Sequence, residues 1–199
     1  MRTTHLFVAL LTFFVLNIQS RATVLAHWKL DESAGTTVND SSLNTNDGTM
    51  YNMDPATDRV TGKVGNALEF DGVNDYVYCG SHESLRPNGS FTLSAWVYSK
   101  GYVNNGSAYN VLMSRGTPFG DAGGYGFAIT SDDKLRFTVN NVNVLSGVNI
   151  KDRWVHVVGV YDDSEGKIKI YIDGKLKGQN TCSGLGTDTQ TLYIGKDRI

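Results

Sequence analysis

Glu69-Phe-Asp71, with Asp75 close behind, is the nearest approach to a catalytic constellation in this 199-residue chain. Residues two apart on a strand share a face. Retaining glycoside hydrolysis needs two carboxyls roughly 5 Å apart on such a face. Gly72 interrupts the strand, however, and no second glutamate follows. Asp71-Gly72 reads more simply as a turn, so no residue is assigned as catalytic. Asp132-Asp133 and Asp162-Asp163-Ser-Glu165 are acidic groups at hairpin tips, where aspartate accepts backbone hydrogen bonds. His27 and His156 fall in strands and His82 in a loop. None stands beside a serine or cysteine in an activating motif, and no spacing suggests zinc. His156 shares a face with Val158 and Val160 and is expected in a core or an interface.

A different chemistry suits the aromatic residues. Phe91-Thr-Leu-Ser-Ala-Trp-Val-Tyr98 alternates, with Phe91, Leu93, Ala95 and Val97 inward and Trp96 and Tyr98 on the opposite face. With Tyr102 and Tyr109 nearby, they can form a platform on which the C–H faces of sugar rings pack. The competing expectation is that a second layer covers Trp96. Cys79 and Cys182 are the only 2 cysteines. One disulfide between them suits an exported chain and would stabilise the fold by roughly 4–5 kcal/mol in the loop-entropy picture. Two unpaired thiols are the alternative, and proximity decides, because the Cα atoms must come within about 7 Å.

The elements that position these residues are strands. From Trp154 to Tyr161, Trp154, His156, Val158 and Val160 fall on one side and Val155, Val157, Gly159 and Tyr161 on the other. Ile168, Ile170 and Ile172 then alternate with Lys167, Lys169 and Tyr171. Period two with β-branched residues on one face marks half-buried antiparallel strands. Asp173-Gly174 suits a two-residue hairpin turn. Further strands are expected at Leu25–Leu30, on both sides of an Asp71-Gly72 turn within 66–80, and at 110–115, 125–130, 135–139, 142–145 and 190–195. Asp31 to Asn52 is expected as a loop. About twelve strands result, with no internal repeat and no long helical period. Gly is frequent at 22 residues and Pro scarce at 3, as a turn-rich all-β chain requires.

Five segments resemble, in order, the LamG-like jelly-roll domains of the concanavalin A-like lectin/glucanase superfamily. They are Ala26-His-Trp-Lys-Leu-Asp-Glu32, Gly65-Asn-Ala-Leu-Glu-Phe-Asp-Gly72 with Asp75-Tyr-Val77, Ser90 to Val97, Trp154-Val-His156, and Leu192-Tyr-Ile-Gly195. The resemblance implies an all-β, antiparallel two-sheet jelly-roll sandwich over 23–199. It also implies a further strand after the Ile-Gly segment, so the chain is expected to lack its last strand and to be a fragment of a longer protein. Laminin G domains and pentraxins bind calcium at one rim of the sandwich. Their ligand positions look like Asp121 and Asp197 here, and two carboxylates would need carbonyls and water to complete the shell.

Residues 1–22 read as a signal peptide. Arg2 precedes the apolar run Leu6 to Ile18, and Ser20 and Ala22 precede a cut at Thr23. The run is shorter than the roughly 20 residues of a membrane span. The expected location is therefore secreted or at the cell surface. Sequons at Asn39, Asn88 and Asn105 matter only in a eukaryotic secretory pathway. The net charge of −2 comes without a basic patch, which speaks against nucleic acid as a partner. Together these readings imply an extracellular, non-catalytic binding or adhesion module that recognises carbohydrate at or outside the cell surface, with calcium as a candidate cofactor. The alternatives are a sandwich glycosidase centred on Glu69 and Asp71, or a structural spacer of a larger surface protein.

Overall fold

The computed structural model describes residues 22–104, 108–116, 123–186 and 190–196. Its smaller sheet has four strands: β6 (Phe91–Tyr98), β11 (Trp154–Asp162), β12 (Lys167–Ile172) and β13 (Lys175–Thr181), in the order β13-β12-β11-β6. Strands β11 and β12 alternate strictly between buried and half-buried residues. The Asp173-Gly174 turn has φ values of 49° and 74°, the paired positive angles of a type I′ hairpin.

The larger sheet has eight strands. They are β1 (Thr37–Val38), β2 (Gly48–Tyr51), β5 (Tyr76–Tyr78), β7 (Tyr109–Arg115), β8 (Tyr125–Thr130), β9 (Lys134–Val139), β10 (Val142–Asn149) and β14 (Leu192–Ile194), ordered β1-β2-β5-β14-β7-β8-β9-β10. A hairpin of β3 (Arg59–Thr61) and β4 (Asn66–Leu68) forms a third, small sheet. Every strand ladder is antiparallel. The architecture is the expected all-β sandwich.

The core lies between the two large sheets. Leu135, Phe137 and Val139 of β9 face Val155, Val157 and Tyr161 of β11 and Ile168 and Ile170 of β12, all fully buried. Gly159 sits against Phe137 so closely that a β-carbon there would lie 2.6 Å from Cδ2 of the ring. This contact decides which side of β11 is inside. The face carrying His156, Val158 and Val160, expected in a core or an interface, is the outer face of the smaller sheet and not part of the core. The bulk of Phe137 demands a glycine opposite, and Gly159 belongs to the other set.

Three further expectations are corrected. The segment 31–52 is not simply a loop, because β1 and β2 lie within it and bury Val38 and Met50. Leu25–Leu30 makes only one isolated bridge, Trp28 to Asp40, with Trp28 Nε1 donating to Asn46 O at 2.8 Å. The two strands within 66–80 do not form a hairpin. Strand β4 pairs with β3, while β5 lies between β2 and β14. The Asp71 turn thus redirects the chain from one sheet to another.

The sandwich closes on one side and opens on the other. At the closed side Asn180 of β13 donates to Asn143 O of β10 at 3.0 Å. At the open side β6 has no neighbouring strand along its outer edge among the described residues, while the larger sheet continues past it. A cleft of about 2030 Å³ follows that edge.

Candidate functional site

The exposed aromatic residues beside this cleft are set by the register of β6 on β11. Pairing places Trp96 opposite His156 and Tyr98 opposite Trp154. The Trp96 and His156 ring centroids are 5.2 Å apart, and those of Tyr98 and Trp154 are 5.7 Å apart. Trp96 and Tyr98 are each 44% exposed. His156 Nε2 lies 2.8 Å from Ser94 Oγ, so the ring is held upright on the sheet. The His156 amide donates to Asp173 Oδ1 at 2.9 Å. That bond keeps the Asp173 carboxyl below its ordinary pKa, against a smaller opposing effect of burial and with help from Arg153. Lys63 Nζ reaches within 5.7 Å of the centre of the Trp96 ring. The result is a band of four rings on the outer face of the smaller sheet, flanked by a cation and a hydroxyl.

The platform expected from sequence is therefore half assembled. Trp96 and Tyr98 belong to it. Tyr109 also borders the cleft but stands on β7 of the larger sheet, with the Arg136 guanidinium 4.5 Å from its ring centre. Tyr102 does not line the cleft, and its amide donates to Asp133 Oδ1 at 2.7 Å. Trp154 and His156 were not anticipated as members. The signal that would have found them is the β6–β11 register, which a single sequence does not display.

Inside, the cleft is lined by Phe70, Leu93, Val97, Leu112, Met113 and Ile194. Its polar lining includes Glu69 and Lys100, which form an ion pair. Glu69 thus meets an ammonium and not a second carboxyl. Asp71 Oδ1 accepts from the amides of Val73 and Asn74 at 2.7 and 3.2 Å, a turn built on its own side chain. The Val73 amide, against burial, draws the Asp71 carboxyl below its ordinary pKa. Burial pushes Asp75 up despite the Asp71 amide that donates to its Oδ2 at 2.9 Å. Glu69 and Asp71 therefore serve an ion pair and a turn. The other acidic groups are likewise occupied. Asp162 accepts from Ser164 Oγ at 2.7 Å and Lys169 Nζ at 3.2 Å, and Asp132 pairs with Lys134 at 2.7 Å.

The expected Cys79–Cys182 disulfide is not formed; both thiols are free and buried. Cys79 follows β5, and its amide donates to Leu192 O. Cys182 Sγ lies 3.6 Å from Val139 O at the end of β9. Strands β14, β7 and β8 separate β5 from β9. Four spacings of about 4.8 Å put the two positions roughly 19 Å apart, far beyond bridging distance. Burial pushes the Cys79 thiol up to about 12 and raises that of Cys182 as well. Ellman's reagent is accordingly expected to modify neither thiol in the native protein and both after unfolding in guanidinium. Fewer than two titratable thiols in the unfolded, unreduced protein would contradict this.

The calcium candidates Asp121 and Asp197 lie outside the described residues. Among the described residues, no group of three or more His, Cys, Asp or Glu comes together in a way that could hold a metal ion.

Residues 71–198 match the laminin G family model of the concanavalin A-like lectin/glucanases superfamily, and the chain belongs to that superfamily. No curated protein sequence matches it. Among solved structures it is similar to domain 4 of AbnA, a GH43 extracellular arabinanase from Geobacillus stearothermophilus, in complex with arabinotriose. That likeness has 18% identity and a TM-score of 0.63, and covers 88% of this chain and 84% of that one. It is also similar to Trypanosoma rangeli sialidase in complex with sialic acid, at 18% identity and a TM-score of 0.58. There the match covers 84% of this chain but only 26% of the sialidase. At such identities the likeness speaks for the fold alone.

Proposed function

We propose that this domain is a non-catalytic carbohydrate-binding module of an exported protein, taking its glycan across Trp96, Tyr98 and Trp154. The observation that carries this reading is the pair of exposed rings, Trp96 and Tyr98, locked by Trp154 and His156 along an open cleft. Rigid aromatic faces bind at little cost in side-chain freedom, and their polar tips reach sugar hydroxyls. Ser94, Lys63 and the Glu69–Lys100 pair add donors and acceptors near the rings. The similar AbnA domain 4 was solved with arabinotriose, which makes arabino-oligosaccharides the first ligands to try. Residues 1–22, read as a signal peptide, direct the protein outside the cell, where glycans are its partners. No helix among the described residues is long and apolar enough to cross a membrane.

Calorimetry with arabinotriose and with the best ligands from a glycan array tests the reading. Trp96→Ala is expected to weaken binding tenfold or more, because losing an aromatic anchor costs about 2 kcal/mol. Its circular dichroism should be unchanged, since the side chain is exposed. A wild-type protein that binds no glycan, or unchanged affinity in both Trp96→Ala and Tyr98→Ala, would sink the proposal. Reducing-sugar release from arabinan and β-glucans should be absent. Turnover that disappears in Glu69→Gln would instead establish the glycosidase alternative. Calcium attaches to this reading through Asp121 and Asp197 alone. Affinity lost in EDTA and restored by calcium chloride supports it, and unchanged affinity removes it.

A further inference from the structure

On the outer face of the larger sheet, β2, β5 and β14 bring four tyrosines together. Antiparallel pairing sets Tyr51 opposite Tyr76 and Tyr78 opposite Tyr193. The alternate residues Met50, Val77 and Leu192 are buried in the core, so the tyrosines point the other way. Tyr51 and Tyr76 stack with centroids 5.0 Å apart and planes 8° from parallel. Tyr193 meets Tyr76 and Tyr78 edge-on at 5.9 and 5.8 Å. Tyr51 and Tyr78 are 45% and 41% exposed. Among the described residues none of the four phenol hydroxyls has a hydrogen-bond partner. Ring-on-ring packing fixes these side chains in advance, which lowers the ordering cost of binding.

A cation completes the cluster. Lys196 Nζ lies 4.2 Å from the Tyr76 ring centre and 5.9 Å from that of Tyr193. The backbone that carries it is held firmly. Ser114 Oγ donates to Lys196 O at 2.8 Å, and the Gly195 amide donates to Leu112 O at 2.9 Å. Gly195 adopts φ 83°, and a β-carbon there would lie 2.5 Å from the Phe70 ring. Among the described residues no carboxylate pairs with the Lys196 ammonium.

An ammonium with no acidic partner among the described residues, set among phenol hydroxyls, matches a ligand that is both anionic and rich in hydroxyls. Stacking hides one face of Tyr51 and one of Tyr76, and the edge-on contacts of Tyr193 turn further ring edges and hydroxyls outward. We infer that this face is a second binding site, specific for an acidic saccharide, on the side of the sandwich opposite Trp96. The shared chemistry is a carboxylate or sulfate group on a sugar ring. The site does not rest on the Trp96 reading.

Affinity electrophoresis and calorimetry with polygalacturonate, dextran sulfate, neutral dextran and polyglutamate test it. One of the two acidic glycans should bind at least tenfold tighter than both dextran and polyglutamate, and which one wins identifies carboxylate or sulfate. Added sodium chloride should weaken the complex, as expected for an exposed charge. Lys196→Met should lose tenfold or more. Tyr78→Phe, which removes only a hydroxyl, should lose about threefold. Trp96→Ala should leave this binding intact. No preference over dextran, equal binding of polyglutamate, unchanged affinity in Lys196→Met, or loss of acidic-glycan binding in Trp96→Ala would each overturn the inference.

Discussion

Replacing Asp40 with alanine is expected to cost about 3 kcal/mol or more, measured by urea unfolding near neutral pH. The residue is only 7% exposed, and its carboxylate organises the turn-rich segment before β2. Oδ1 accepts from the amides of His27 and Ser42 at 2.8 and 2.9 Å. Oδ2 accepts from the Asn46 amide at 2.9 Å and from Ser42 Oγ at 2.8 Å. A hydrogen bond to a charged group contributes about 1.5–3 kcal/mol, and an amide stranded away from water costs a similar amount. Several bonds lost together do not add fully, hence the modest total.

The same residue sets an acid limit. Burial pushes the Asp40 carboxyl up, but the amides of His27, Ser42 and Asn46 and the Ser42 hydroxyl together outweigh it. Its folded pKa therefore lies below the ordinary 3.8. A depressed folded pKa means stability that is present above the unfolded value and lost as pH falls through the folded one. Wild-type stability should thus fall below about pH 4 more steeply than that of Asp40→Asn, which has no proton to gain there. Parallel acid limbs in the two proteins would show that Asp40 is not linked to folding.

The second large effect concerns the contact between the sheets. Phe137→Ala is expected to lose about 3–5 kcal/mol, since the ring is fully buried between β9 and β11. Gly159→Ala alone should lose about 1–3 kcal/mol, because its new methyl group would overlap that ring. The two changes are coupled. With the ring gone, the methyl group enters empty space, so the double variant should be distinctly more stable than the sum of the single losses implies. Additive losses would mean that Gly159 does not face Phe137, and the inside–outside assignment of β11 would fall with it.

That assignment shows where sequence reading reached its limit. The alternation of Trp154 to Tyr161 is visible in one dimension, but either face can be buried until the opposing sheet is known. Strand β6 illustrates the same point from the other side. Phe91, Leu93 and Val97 point inward as expected, yet they remain half-buried and Ala95 is exposed. The cause is their position on an open edge, and edge position is a property of the sheet. Arg115, 1% exposed at the end of β7, is a buried charge that nothing in its neighbourhood of sequence marks.

What the chain encodes locally is therefore its strands and its turns. Period-two apolar alternation needs only neighbouring residues, and the Asp173-Gly174 turn needs only two backbone angles. Both could be read directly, and with them the all-β class. The partnerships were decided by the tertiary structure. The pairing of β4 with β3, the separation of Cys79 from Cys182, the Trp96–His156 and Tyr98–Trp154 contacts, and the tyrosine cluster all join distant segments. Such contacts depend on sheet order and register, which follow from how whole faces bury one another and not from the identity of any short segment.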